Sequence, residues 1–226
     1  AGLRAGRDVN MATLAERKGE RIERDPRNRY ELNTSREIGA MVAAGGNLTM
    51  MAGQDINARA ADVTAAKHLA IGAGRDINAT AGVQTQYSYI EFYSKQRGFP
   101  SSRSNHMVNA ITTERAQAAT FTGDTAMLTA GRDVAVTGSN LGAQHDLAVS
   151  GARDVKIAAG ANSADIRQYE HDKKSGFGAM GGLSYGTRHQ TDTLNGNQVW
   201  HTASTVGSVQ GDTHIDVGRS LNVVGS

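Results

Sequence analysis

Short runs of alternating apolar and polar residues recur along the chain, each only a few residues long and closed by Gly, Asn, Asp or Gln. Leu48-Thr49-Met50, Ile56-Asn57-Ala58 and Val63-Thr64-Ala65 are consecutive examples. A period of two marks a half-buried strand, and strands this short cannot hold a sheet by themselves. The runs are themselves periodic. Val42 to Val63, Leu48 to Leu69, Ile56 to Ile77 and Val134 to Val155 are each 21 residues apart. Three strands per round bury their inward side chains only by stacking round upon round. The pattern predicts an all-β fold, a right-handed parallel β-helix of about 21 residues per coil and about five coils, with neighbouring coils about 4.8 Å apart.

A longer register overlies the coil. Gly45 to Asp76 superposes on Gly123 to Asp154 with a shift of 78, and a shortened third copy begins at Gly211. Between copies the period breaks, at about residues 15–40, 83–122 and 161–209. Every Tyr, Phe and Trp falls in these excursions, and on this reading the coils hold none. Alternation of Gln84, Gln86, Ser88 and Ile90 against Thr85, Tyr87, Tyr89 and Glu91 predicts that the second and third excursions are projecting β-hairpins. The first is so densely charged that a mobile tip is expected.

Composition narrows the picture. The 226 residues include 27 Gly, 2 Pro and no Cys, with 5% aromatic residues, which suits short strands and tight turns rather than helical packing. Lys plus Arg exceed Asp plus Glu by only 24 − 22 = 2, so no nucleic-acid footprint is expected. No run approaches the length of a membrane-spanning helix. The chain opens inside a repeat, so residues 1–226 are read as one β-helical segment of a longer protein.

The stretches "AGGNLTMMAGQDINARAADVTAAKHLAIGAGRDINATAG" and "TGDTAMLTAGRDVAVTGSNLGAQHDLAVSGARDVKIAAG" resemble the haemagglutinin repeats of filamentous-haemagglutinin exoproteins, a group that includes contact-dependent growth-inhibition (CdiA-type) effectors. The excursion from His171 to Val217 is similar to the hairpin-bearing, second repeat type of that family. The resemblance implies a non-catalytic filament segment at the surface of a Gram-negative cell, exported by two-partner secretion through an outer-membrane transporter. Adhesins and toxin-delivery proteins both carry these repeats. One expected partner is therefore the outer membrane or a surface receptor of a neighbouring bacterium, and the other is a host-cell surface.

Gly-Arg-Asp recurs at Gly6–Asp8, Gly74–Asp76 and Gly131–Asp133. Calcium β-rolls need closely tandem Asp-bearing turns, so turn chemistry explains the motif instead, with Gly supplying positive φ and Asp bonding backbone N–H groups as the next strand begins. "GFGAMG" at Gly176–Gly181 matches a dinucleotide fingerprint but lacks the surrounding βαβ unit. The seven His show no zinc spacing, and "EHDKK" at Glu170–Lys174 reads as a solvated hairpin. Asp residues recur at the turns of every copy rather than gathering at one site, so neither an enzyme nor a cofactor is expected. The functional signal lies in the excursion aromatics. Tyr87, Tyr89, Tyr93, Tyr169, Tyr185 and Trp200 are the candidate partner-contact residues, since such side chains bury apolar area while keeping a polar contact.

Overall fold

A computed structural model describes residues 1–179 and 183–225. The first round holds β1 (Gly2–Ala5) and β2 (Val9–Met11), followed by the hairpin β3 (Leu14–Asp25) and β4 (Asn28–Ile38). The chain continues through β5 (Met41–Ala44), β6 (Leu48–Ala52), β7 (Ile56–Arg59), β8 (Asp62–Ala65), β9 (His68–Ala73) and β10 (Ile77–Thr80) before the second hairpin, β11 (Gly82–Gly98) and β12 (Ser101–Gln117). Next come β13 (Thr120–Gly123), β14 (Thr125–Ala130), β15 (Asp133–Thr137), β16 (Asn140–Ala143), β17 (Leu147–Gly151) and β18 (Asp154–Ala158). A third hairpin, β19 (Gly160–Ala179) and β20 (Leu183–Thr202), precedes β21 (Thr205–Ser208), β22 (Thr213–Val217) and β23 (Ser220–Val224).

Three parallel sheets form the solenoid. Their strand orders are β1-β6-β9-β14-β17-β22, β2-β7-β10-β15-β18-β23 and β21-β16-β13-β8-β5. Two faces therefore have six rungs and the third has five. The 21-residue spacing is realised directly, with Ile56 paired to Ile77 and Leu48 to Leu69 in neighbouring rungs. Inward residues such as Leu48, Met50, Ile56, Val63, Leu69 and Ile77 are essentially inaccessible and join one continuous core.

Phe121 corrects the expectation that the coils lack aromatics. The second excursion ends at Gln117, not at 122, and Phe121 lies on β13 between Val63 and Leu141, fully buried. The same coil has Ala126 where neighbouring coils have Leu69 and Leu147. A large residue on one wall thus accompanies a small one on the next, which keeps the volume of the layer constant.

All three hairpins leave the same corner, between the β2-containing and β5-containing sheets, and they do so in alternate coils. In the coils between, the corner needs two residues, Ala60-Ala61 and Gly138-Ser139, and turns through the left-handed region, with φ of 47° at Ala60 and 57° at Gly138. The hairpins pair with one another into a fourth, antiparallel sheet of order β20-β19-β12-β11-β4-β3, here termed the fin. β4 pairs β11 from Arg29↔Glu91 to Arg36↔Gln84, and β12 pairs β19 from Ser101↔Gly176 to Glu114↔Ser163. The charged first excursion is therefore a hairpin too, and its tip is tied down. Asp25 accepts from the Arg27 N–H and the Asn28 side chain, while Asn28 exchanges hydrogen bonds with the Tyr93 backbone at 2.9 and 3.0 Å.

The seam between fin and solenoid buries polar groups, and each is satisfied. Asn162, 3% exposed, accepts from the Ala116 N–H at 2.7 Å and donates to Thr202 Oγ1 at 3.0 Å. Ser204 donates to the Ala158 carbonyl at 2.6 Å and accepts from the Ser139 N–H at 3.1 Å. Glu37 accepts from the Val83 N–H at 2.7 Å and from Arg59 Nε at 3.0 Å, joining β4 to β11 and to the coil.

Phe121→Ala is expected to destabilise the fold by about 3–5 kcal/mol, the range for emptying an aromatic core site, measured by denaturant unfolding. Deleting residues 60–80, one plain coil, keeps the core pattern but places the first two hairpins on successive coils. Amide exchange should then show β4 and β11 unprotected along their shared edge.

Candidate functional site

The Gly-Arg-Asp motif is an inter-coil clamp. Arg75, Arg132, Arg153 and Arg219 each form a two-pronged pair with the Asp of the preceding coil, respectively Asp55, Asp76, Asp133 and Asp154. The Nε contacts measure 3.0, 2.7, 2.9 and 2.8 Å. The same carboxylates at Asp55, Asp76 and Asp133 also accept the backbone N–H of the next coil's Asp at 3.2 Å. Where Gln54 replaces arginine, Asp8 keeps that backbone bond, from Asp55 at 3.1 Å. The expected role of the motif's glycine is corrected. Positive φ among glycines is confined to Gly138 and Gly225 among the described residues. A Cβ on Gly53, Gly74 or Gly131 would instead lie 2.2–2.3 Å from the glycine carbonyl oxygen of the coil beneath, so close stacking requires glycine there. An asparagine ladder runs beside the clamp, Asn78 donating to Asn57 and Asn57 to Asn10, each at 2.9 Å.

These carboxylates are therefore committed to holding coils together, and the candidate partner-contact residues all lie on the fin. Side chains directly opposite one another in an antiparallel pair share a face, and alternate residues take opposite faces. That register assembles Tyr87, Tyr89, Tyr93, Tyr169 and Tyr185 on one side of the fin. Trp200 does not join them. It lies opposite Asn162 near the base, partly buried, on the other side of the fin, which further out carries the apolar residues Ile22, Tyr30, Ile90, Phe92, Met107 and Leu194. Tyr169 is 37% and Tyr185 62% exposed, while Tyr87, Tyr89 and Tyr93 are half-buried.

On the tyrosine side a row of rings crosses four strands. Tyr93 meets His106 at 5.9 Å, His106 meets Tyr169 at 5.7 Å, Tyr169 stacks on His171 at 6.5 Å, and His171 meets His189 at 5.9 Å. Arg27 and Arg29 lie over Tyr93 and Tyr89 at 4.5 and 4.8 Å. Glu91 is the hub, accepting from Arg29 Nε at 2.9 Å, Tyr89 Oη at 2.9 Å and His106 Nε2 at 3.0 Å. Burial alone would raise its carboxyl pKa, but the hydrogen bonds from His106, Tyr89 and Arg29 outweigh it and hold the group below the ordinary value. Burial likewise pushes the Tyr89 hydroxyl up. Tyr89, Tyr93 and Tyr169 are thus held by partners that the sequence, read for aromatics alone, did not single out: Arg27, Arg29, Glu91 and His106. Of the "GFGAMG" stretch, Met180 and Gly181 lie outside the described residues, and Gly176 sits in β19 opposite Ser101 and Gly186.

Stacked coils clamped by repeating ion pairs, with a fin built from regularly spaced hairpins, define a tandem-repeat β-solenoid segment. The chain belongs to the hemagglutinin-repeat family, whose model matches residues 27–99 and 97–226. Within that family it is a CdiA-type repeat region. It is 33% identical over 218 residues to the 16S rRNA endonuclease CdiA of Enterobacter cloacae subsp. cloacae, a match covering 94% of this chain and 7% of that protein. It is 31% identical over 193 residues to a tRNA nuclease CdiA of Escherichia coli, covering 84% of this chain and 5% of that one. A tRNA nuclease CdiA-2 of Burkholderia pseudomallei is 29% identical over 191 residues, 83% of this chain and 6% of the relative. The chain thus spans only a small fraction of each of these relatives. No solved structure matches it.

The clamp carries a pH dependence. Bonds from Arg75, Arg153 and Arg219 hold the carboxyls of Asp55, Asp133 and Asp154 below their ordinary value of 3.8. A pKa lowered by folding gives stability that is complete above the unfolded value and is lost as pH falls through the folded one. The melting temperature should be flat from neutral pH to about 5 and drop below about 4. Arg153→Gln should lower it by a few degrees at neutral pH and shrink the acid-induced drop.

Proposed function

We propose that this segment is a non-catalytic part of a secreted surface filament of the contact-dependent growth-inhibition type. In this reading the solenoid holds the fin at a fixed spacing along the filament, and the fin contacts the outer membrane of the target cell. That contact helps the parent protein pass its toxin inward. The parent reaches the cell surface through its outer-membrane secretion transporter. Family membership and the CdiA relatives support the filament. The gathering of Tyr87, Tyr89, Tyr93, Tyr169 and Tyr185 on one face of the fin is the observation that carries the contact role.

The test measures binding of the purified chain to Gram-negative outer-membrane vesicles and to host-cell surfaces. A second version has residues 159–204 replaced by a two-residue corner like Gly138-Ser139. Vesicle binding that disappears with the third hairpin is the expected result. Binding to host surfaces alone would instead assign the chain to a host-directed adhesin, and binding to neither would leave it a spacer.

A further inference from the structure

The outer rungs of the fin carry a second pattern, which shares Tyr185 with the tyrosine face. Gly98, Ser101, Gly176 and Gly186 lie opposite one another across four strands. Just beyond that row are three aromatic side chains. Phe99, in the turn of the second hairpin, is 99% exposed, and Phe177 and Tyr185 are 48% and 62% exposed with ring centroids 5.3 Å apart. Behind the row, toward the solenoid, come three ranks of cations. Arg97 lies across from Ser102, Ser175 and Thr187; Arg103, Lys174 and Arg188 stand in one rank with Gln96; Lys95 and Lys173 stand in the next with Ser104 and His189.

Residues 94–105 and 172–190 hold six Lys and Arg against a single carboxylate, Asp172. Arg103 is paired with Asp172 at 3.1 Å, and among the described residues none of the other five cations forms a salt bridge. Arg103, Lys174 and Arg188 are directly opposite on three adjacent strands, an arrangement in which like charges repel. Charge on an edge strand guards against unwanted strand pairing. That accounts for Arg188 on β20, but β12 and β19 are interior strands, so Arg103 and Lys174 have no such role. Asp172 answers Arg103, but Lys174, on an interior strand between two cations, forms no salt bridge among the described residues, which fits a surface completed by an external anion.

We propose that the second and third hairpins dock, through Phe99, Phe177, Tyr185 and the cation ranks behind them, on a lipid surface bearing phosphate headgroups. This rests on the outer-membrane reading above and names the chemistry and the residues of that contact. Strands advance about 3.3 Å per residue, so the cation ranks lie roughly 7–13 Å behind the Phe177–Tyr185 pair. Aromatic rings belong at the boundary between headgroups and acyl chains, and basic side chains meet phosphate just outside it. The layering along the hairpins has that order. The row from Gly98 to Gly186 sets Phe99 and the Phe177–Tyr185 pair at one level, so both hairpins can meet one surface together, and linked contacts add avidity. The first hairpin, with strands of 12 and 11 residues against 17 and 20, stops short of that level.

Flotation of the intact chain with vesicles tests this. The vesicles are phosphatidylcholine alone, or phosphatidylcholine with roughly a third phosphatidylglycerol. Binding to the anionic vesicles only, weakening with salt, is expected. Replacing Lys95→Gln, Arg97→Gln and Lys174→Gln together should weaken it on the order of a hundred-fold, at about five-fold per cation. Phe99→Ser with Tyr185→Ser should abolish vesicle binding while leaving binding to soluble polyphosphate intact. All five positions are exposed, and unchanged melting curves verify the fold. Equal binding to both vesicle types, or indifference to the cation changes, overturns the proposal. Binding to polyphosphate without binding to vesicles would assign the cations to a soluble polyanion and also overturns it. If the wild-type chain binds outer-membrane vesicles but not phosphatidylglycerol vesicles, the lipid contact falls and the outer-membrane reading stands.

Discussion

Hydrogen-bonded strands stand about 4.8 Å apart whether they belong to a coil stack or to a hairpin sheet, and this one distance governs the molecule. A hairpin contributes two strands to the fin, so it occupies the height of two coils. Hairpins on every coil would be crowded, and hairpins on every third coil would leave gaps. The chain places them on alternate coils, at a single corner, and the result is a continuous six-stranded antiparallel sheet running alongside the solenoid. The plain coil between hairpins is therefore a spacer with a required thickness.

The other devices keep the two stacks in register. Glycine at the Gly-Arg-Asp turn lets backbones stack closely. The arginine then reaches back to the aspartate of the coil below, and that aspartate caps the backbone of the coil above. Individually these half-exposed ion pairs are modest. Their value is positional, because a coil slipped by one residue would lose the clamp and turn its core residues outward together. Inside, Phe121 and Ala126 show that the walls of a coil are matched as a layer rather than residue by residue along a column.

The solenoid was legible because its signal is periodic. Spacings of 21 residues between Val42 and Val63 or Leu48 and Leu69 translate directly into rungs, and the alternation from Gln84 to Glu91 translates into strand faces. Phe121 is hidden from the sequence because the long repeat first becomes recognisable at Gly123, one strand after the chain has rejoined the coil. The arginine clamp was missed because its partners are about a coil or more apart in sequence. The glycine was assigned to turn conformation when its reason is a neighbour in the next coil. Candidate residues fared similarly: the aromatics were visible by type, but which of them share a face depends on inter-hairpin register. That register unites Tyr87 with Tyr185 and sends Trp200 to the other side.

The direction of the hydrogen bonds has a mechanical consequence. In both the solenoid and the fin they run from rung to rung, along the length of the stack, so tension between its two ends pulls rungs apart rather than shearing them. Such a stack yields one rung at a time from an end. The fin changes the size of the step, because a hairpin-bearing coil cannot leave without stripping its hairpin from the neighbour two coils away. Under load the unit that gives way is the pair of coils together with the hairpin they carry.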